Sequence, residues 1–183
     1  MKTLRVTLFA LVAAAQLAVP AWMIVRQLTT LHEGRVFKFR TAPVDPNDAF
    51  RGKYVALAFK AADAMSDETF ERGQTAFVLL GEDADGFAKV ERVTHETLHG
   101  DNVLRVKTGY CYDKRTALDL PFTRYYLEEK LAPEAESAYR NASRRDHENA
   151  WVTVRVRNGY GALEELFIDG KPVREFLREQ ASR

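Results

Sequence analysis

The sequence predicts an α+β protein: an N-terminal transmembrane helix followed by a mostly antiparallel, barrel-like or sandwich-like β domain with a helical insertion. Three observations carry this. Val6 to Val25 is a run of 20 mostly apolar residues in which only Thr7 and Gln16 are polar. Twenty helical residues rise about 30 Å, one hydrocarbon core. Behind the run, about seven short segments alternate apolar and polar residues with the period of a strand. Between about residues 124 and 148 the alternation gives way to a stretch rich in Glu, Ala, Arg and Tyr, which reads as helix.

The first 26 residues read as an anchor and residues 27–183 as a single extracytoplasmic domain. Lys2 and Arg5 precede the apolar run, so the positive-inside rule puts the N-terminus in the cytoplasm. In a bacterium this places the domain in the periplasm, held to the inner-membrane bilayer by residues 6–25. A signal peptide cut after Ala13-Ala14-Ala15 is the rival. Against it, Leu17, Val19, Trp22, Met23, Ile24 and Val25 carry the apolar run well beyond the usual h-region of about 7–15 residues.

Composition excludes several classes. Lys+Arg is 27 and Asp+Glu is 26, a net charge of +1. Nothing in that balance invites nucleic acid. Cys111 is the single cysteine, so an exported domain would hold together by packing and not by an internal disulfide. Its place between Tyr110 and Tyr112 suggests a half-buried strand or turn residue.

Gly34–Thr41 sets Phe37 and Phe39 on one face and Lys38 and Arg40 on the other, a half-buried strand. The segment 43–48, with two prolines, is a loop. Lys53–Lys60 is apolar on both faces and reads as a central strand. Ala61–Arg72 is polar, with a short helical turn capped near Ser66 or Asp67. Thr75–Leu80 and Phe87–Thr94 are strands around an acidic turn at Gly81–Gly86, and Val103–Tyr110 follows a turn at Gly100-Asp101-Asn102. Arg124–Leu131 and Pro133–Glu148 are the predicted helices, the second with Pro133 in its first turn. Strands return at Ala150–Arg157 and Leu163–Ile168. Asp169-Gly170-Lys171-Pro172 is a turn before a short helix at Val173–Ala181.

Arg51-Gly52-Lys53-Tyr54-Val55-Ala56-Leu57-Ala58-Phe59 resembles the motif of the bacterial GDYxxLxY-domain family of small membrane-anchored proteins. Gly52, Tyr54 and Leu57 match; Lys53 stands in place of the family's Asp and Phe59 in place of its Tyr. The run-in at Pro43-Val44-Asp45-Pro46 and Arg51 is also similar, as is the layout down to Ile168-Asp169-Gly170. The resemblance implies an address and an architecture with no assigned reaction, and a polytopic membrane protein as partner. Within the motif, Gly52 suits a turn, Tyr54 packs while offering a hydroxyl, and Leu57 fills core. A fainter resemblance, to the bacterial signal-peptidase domain, touches Gly52–Leu57, Lys89–Val93 and Phe167–Glu175. That chemistry needs a serine just past the membrane, and none occurs before Ser66.

One motif points to catalysis. His95-Glu96-Thr97-Leu98-His99 spells H-E-x-x-H, which on a helix brings two zinc ligands together with Glu96 as general base. Glu128 or Glu129 would have to complete the set, since His32 and His147 look like surface residues. The flanks argue for a turn: Val90, Val93 and Thr94 lead in as strand, and Gly100 breaks the chain afterwards. In a strand, side chains four residues apart lie about 13 Å from each other. The expectation is therefore a non-catalytic, cofactor-free accessory or interaction domain. A membrane-tethered zinc hydrolase is the alternative, and ligand binding among Tyr54, Tyr110 and Tyr112 at a barrel mouth is a third reading.

Overall fold

Helix α1 (Lys2–Glu33) is unbroken and carries Pro20 inside it. The structure is a computed structural model that describes residues 2–43, 54–144 and 148–181. Along its apolar half α1 is exposed, Phe9 at 74% and Leu17 at 72%, and the helix is long and apolar enough to cross a membrane. Its last turns instead pack on the domain, where Thr30 is buried.

Among the described residues twelve strands follow, in two five-stranded sheets and a two-stranded ribbon. The first sheet runs β12 (Lys171–Pro172), β11 (Tyr160–Ile168), β10 (Ala150–Arg157), β1 (Arg35–Ala42), β3 (Ala58–Phe59). The second runs β4 (Asp63–Met65), β8 (Arg115–Asp119), β7 (Val103–Tyr112), β5 (Thr75–Glu82), β6 (Ala88–Thr94). The ribbon joins β2 (Tyr54–Ala56) to β9 (Arg124–Tyr126). All ladders are antiparallel, and single bridges Lys38–Phe87 and Leu104–Gly159 link the two sheets, so the domain closes almost into a barrel. Alternation explains the filling. Phe37, Phe39, Val152, Val154 and Val156 point inward from the first sheet, and Ala76, Val78, Leu80, Leu104 and Val106 from the second. Helix α2 (Ala132–Ala142), with Pro133 in its first turn, buries Ala135 and Tyr139, and α3 (Val173–Ala181) buries Val173 and Leu177.

The mostly antiparallel, barrel-like class predicted from the alternation is the observed one. Four local expectations are corrected. Lys53–Lys60 is not one central strand: its described part splits at Leu57 into β2, in the ribbon, and β3, at an edge of the first sheet. Both faces are apolar because the segment crosses from one ladder to another. Arg124–Leu131 is not helix, because Arg124, Tyr125 and Tyr126 pair with Ala56, Val55 and Tyr54 and aromatic residues favour a pleated surface. The second helix stops at Ala142, where Ser143 N–H bonds the Tyr139 carbonyl at 2.8 Å. The polar stretch after Lys60 holds a 3-10 turn at Lys60–Ala62 and then β4, while Ser66 Oγ accepts the Glu68 N–H at 3.1 Å. Strand β8 is an addition. Its hairpin turns through Asp113 and Lys114 at φ 46° and 64°, positions where Asn-Gly would have announced it.

Three rings pack the first sheet against the segment that leads into the ribbon. Phe122 meets Phe39 and Phe59 edge-on at centroid distances of 5.1 and 5.3 Å, and all three are buried. Phe122→Ala is expected to lower unfolding stability by about 3–5 kcal/mol, read as a shifted denaturant midpoint for the chain in detergent, whereas Phe122→Leu costs much less.

Candidate functional site

The foot of α1 is pinned to the domain by several contacts. The Arg26 guanidinium lies between the rings of Trp22 and Tyr160, 4.5 and 3.7 Å from their centroids. Glu33 pairs with Arg157 at 2.8 Å, and Gly34 N–H closes the helix on the Thr30 carbonyl at 2.9 Å. Gly34 is required here, since a Cβ would stand 2.4 Å from the Thr30 oxygen. Arg155 Nη1 then donates to the Gly34 carbonyl at 3.3 Å.

Around this foot opens a cleft of two adjoining recesses, about 500 and 520 Å³, which share Gln27, Pro121 and Gly161. The smaller is walled by β9 and β11. In it the buried Tyr125 hydroxyl donates to the Glu165 carboxylate, which also accepts the Leu166 N–H at 3.0 Å. Arg174 stands nearby, 3.7 Å from Glu128. A β-bulge prepares this contact. Thr153 pairs with Glu165 and Val154 with Leu163, so Glu164 is the extra residue and turns to Arg155 at 2.9 Å. The larger recess is bounded by Arg26, Arg105, Lys107, Asp119 and Tyr160.

The motif residues lie beside the cleft. Tyr54 is half-buried, its ring 5.7 Å from Tyr126 and 5.0 Å beneath the Arg124 guanidinium. Leu57 and Phe59 are buried in the core, and Leu57 N–H extends the ribbon to the Thr123 carbonyl at 2.9 Å. Arg51 and Gly52 lie outside the described residues, as does His147. The GDYXXLXY protein family model matches residues 16–166, most of the chain. This chain belongs to that family. No curated protein and no solved structure matches it, so the fainter likeness to signal peptidases gains no support.

Residues 95–99 are not helical: a bend after β6 is followed by irregular chain. Glu68 organises it. One carboxylate oxygen accepts the Thr94 hydroxyl at 2.7 Å and the other the His95 N–H at 2.8 Å, which together hold the Glu68 carboxyl below its usual range, the Thr94 bond contributing most. The His95 ring lies tilted against Phe70, centroids 4.1 Å apart, and meets the Thr69 carbonyl at 3.1 Å, while Glu96 pairs with Arg92 at 3.5 Å. His99 is exposed, and Glu128 belongs to the Arg174 contact. Among the described residues no three His, Cys, Asp or Glu side chains come together as a metal-holding group. The helical turn on which the H-E-x-x-H chemistry depends is missing.

The tyrosine mouth also separates. Tyr54 sits in the ribbon, whereas Tyr110 and Tyr112 are 73% and 84% exposed on β7, Tyr110 accepting a bond from Arg72 at 2.9 Å. Cys111 is half-buried with Sγ 3.3 Å from Thr116 Oγ1, a contact that lowers its thiol pKa. The cleft itself escaped sequence reasoning. The one readable signal was Arg26 placed directly behind an apolar run with Trp22 at its end.

Burial, and then the Glu165 carboxylate, push the Tyr125 phenol well above its ordinary value, and burial pushes Tyr139 up to about 12. Both keep their protons in the folded chain at pH values where the unfolded chain, at about 10, has lost them. Stability is therefore full below about pH 10 and falls as pH rises beyond it. Tyr125→Phe is expected to flatten that alkaline slope in a pH series of denaturant melts.

Proposed function

We propose that this chain is a non-catalytic accessory protein of a membrane complex. In this reading α1 crosses the bacterial inner membrane, with Lys2 and Arg5 on the cytoplasmic side. The β domain then stands in the periplasm against the bilayer and engages a polytopic membrane protein. The observation that carries the reading is the join at Gly34. A tether whose last turns are packed on β10 and β11 holds the domain at one height and one orientation. A flexible linker would let the domain sweep a volume, which suits an enzyme seeking diffusing substrates. A rigid stalk instead presents a constant face to a neighbour in the same membrane. The exposed apolar side chains along residues 4–28 supply that neighbour with a helix surface, and small residues at Ala13, Ala14 and Ala15 permit close helix approach.

The membrane-tethered zinc hydrolase is the weaker reading, because its two histidines do not share a helix face. The chain purified without a histidine tag is expected to carry less than stoichiometric zinc, unchanged by His99→Ala; one equivalent lost on that substitution would restore the hydrolase.

Native electrophoresis after extraction in a mild detergent tests the accessory role. The chain is expected to migrate in a stoichiometric complex with a protein of several spans. Migration as a lone monomer under conditions that keep other membrane complexes intact would overturn it.

A further inference from the structure

We infer that the larger recess at the foot of α1, bounded by Arg26, Arg105 and Lys107, binds the phosphate of an anionic phospholipid headgroup. This inference rests on the reading of α1 as membrane-spanning. Three independent features converge on it.

The first is depth. The apolar run ends at Val25, and Arg26 to Thr30 advance about 6 Å along the helix axis. The polar layer on one side of a bilayer is about 5–7 Å thick by the difference between its total and hydrocarbon thicknesses. Both Arg26 and Thr30 line the recess, so its height along α1 is that of the headgroups. Trp22, one turn inside, is an interfacial aromatic, and Arg26 reaches past it to Tyr160.

The second is charge. Several cations of the domain sit on carboxylates, among them Arg35 on Glu82, Arg40 on Asp83 and Asp85, Arg155 on Glu164 and Arg157 on Glu33, and others, such as Lys38 and Arg72, lie over aromatic rings. Arg105 and Lys107 do neither. Among the described residues Arg105 makes no side-chain ion pair or hydrogen bond, and Lys107 donates only to the Thr75 hydroxyl at 3.0 Å. Arg26 is satisfied by ring faces alone. Asp119 faces the same space, is opposite Lys107 in the ladder and yet forms no ion pair with it, so the lining keeps a net charge of two positives. A phosphodiester would supply the missing counter-charge, and the free guanidinium of Arg105 suits its paired oxygens.

The third is room. A volume of about 520 Å³ falls within the range of about 300–1,000 Å³ of small-molecule sites. The recess is also open to solvent beside α1, so a lipid whose acyl chains follow the helix can enter it from the side. A zwitterionic headgroup would bring an ammonium into a net positive site and lose most of the gain.

The test uses the full chain. In detergent doped with equimolar phosphatidylglycerol and phosphatidylcholine, native mass spectrometry of the chain is expected to show phosphatidylglycerol retained preferentially. The preference should be about fivefold for each of the two unpaired cations, Arg105 and Lys107, from the attraction of Lys and Arg to anionic lipid. Arg105→Gln with Lys107→Gln should bring the ratio close to one, while Lys38→Gln, on the first sheet, leaves it unchanged. Arg105→Gln alone, which removes no side-chain contact, carries the test if the double variant melts early. Equal retention of both lipids, or a preference that survives the substitutions, would overturn the site. Loss of the preference in millimolar inorganic phosphate would assign the recess to free phosphate and overturn the lipid. Flotation with vesicles of either composition keeps the two readings apart: a chain that floats without headgroup preference refutes this site alone, whereas one that fails to float refutes the tether.

Discussion

Everything in the molecule is referred to one junction, the continuous passage from α1 into β1 through Gly34. The helix ends in the tightest backbone contact of the foot, where no side chain fits between Gly34 and the Thr30 carbonyl. Two further ties cross from the strands: Arg155 to the Gly34 carbonyl and Arg157 to Glu33. These bonds join residues more than a hundred positions apart, so the helix cannot change its angle without disturbing the β10–β11 hairpin. A long exposed apolar helix on a freely hinged domain would be only an attachment. Joined in this way it becomes a coordinate axis, and each surface of the domain has a definite height along it.

The family motif gains a physical meaning from that frame. Its described residues are where the chain leaves one ladder for another: Val55 pairs with Tyr125 in the ribbon, and Phe59 pairs with Thr41 on β1. Leu57, between them, is buried and still bonds Thr123. The segment therefore staples the ribbon to the first sheet, with Phe59 against Phe122 as the apolar rivet. Because β9 is the partner in the ribbon, the motif also positions Tyr125 over Glu165 and Arg124 over Tyr54. Core residues and cleft wall are thus two faces of the same short stretch.

What could be read from the sequence follows from how local the signals are. The apolar run, the alternation at Ala150–Arg157 and the turn at Asp169-Gly170 are patterns over a few neighbours, and the structure contains α1, β10 and a turn with φ of 50° and 77° there. Arg124–Tyr126 reads locally as helix, but its state is decided by a partner strand some 70 residues earlier, which no local window includes. The β7–β8 hairpin hid behind Asp113-Lys114, since a lysine at positive φ is an uncommon turn former. H-E-x-x-H is the converse case. The letters suit a helix, but Glu68, far back in the chain, takes the Thr94 hydroxyl and the His95 N–H and commits the segment to a bend. The cleft is unreadable for the strongest reason: its lining comes from α1, β5, β7, β8, β9, β11 and α3, and only the closed fold makes them neighbours.

The two recesses beside Gln27 differ in a way that composition conceals. In the smaller one the charges are already answered: Glu165 holds the Tyr125 hydroxyl and the Leu166 N–H, and Arg174 approaches Glu128. Any ligand there must displace bonds in a partly buried setting, where an unpaired carboxylate is costly. In the larger one Arg105 and Lys107 form no ion pair among the described residues, although Asp119 lines the same space, in a chain whose total charge is only +1. Arg105 and Lys107 thus bring two unpaired cations to one place beside Arg26. That place is the height at which α1 passes from apolar to polar sequence, and this coincidence, more than the charge itself, distinguishes the recess from an ordinary basic surface.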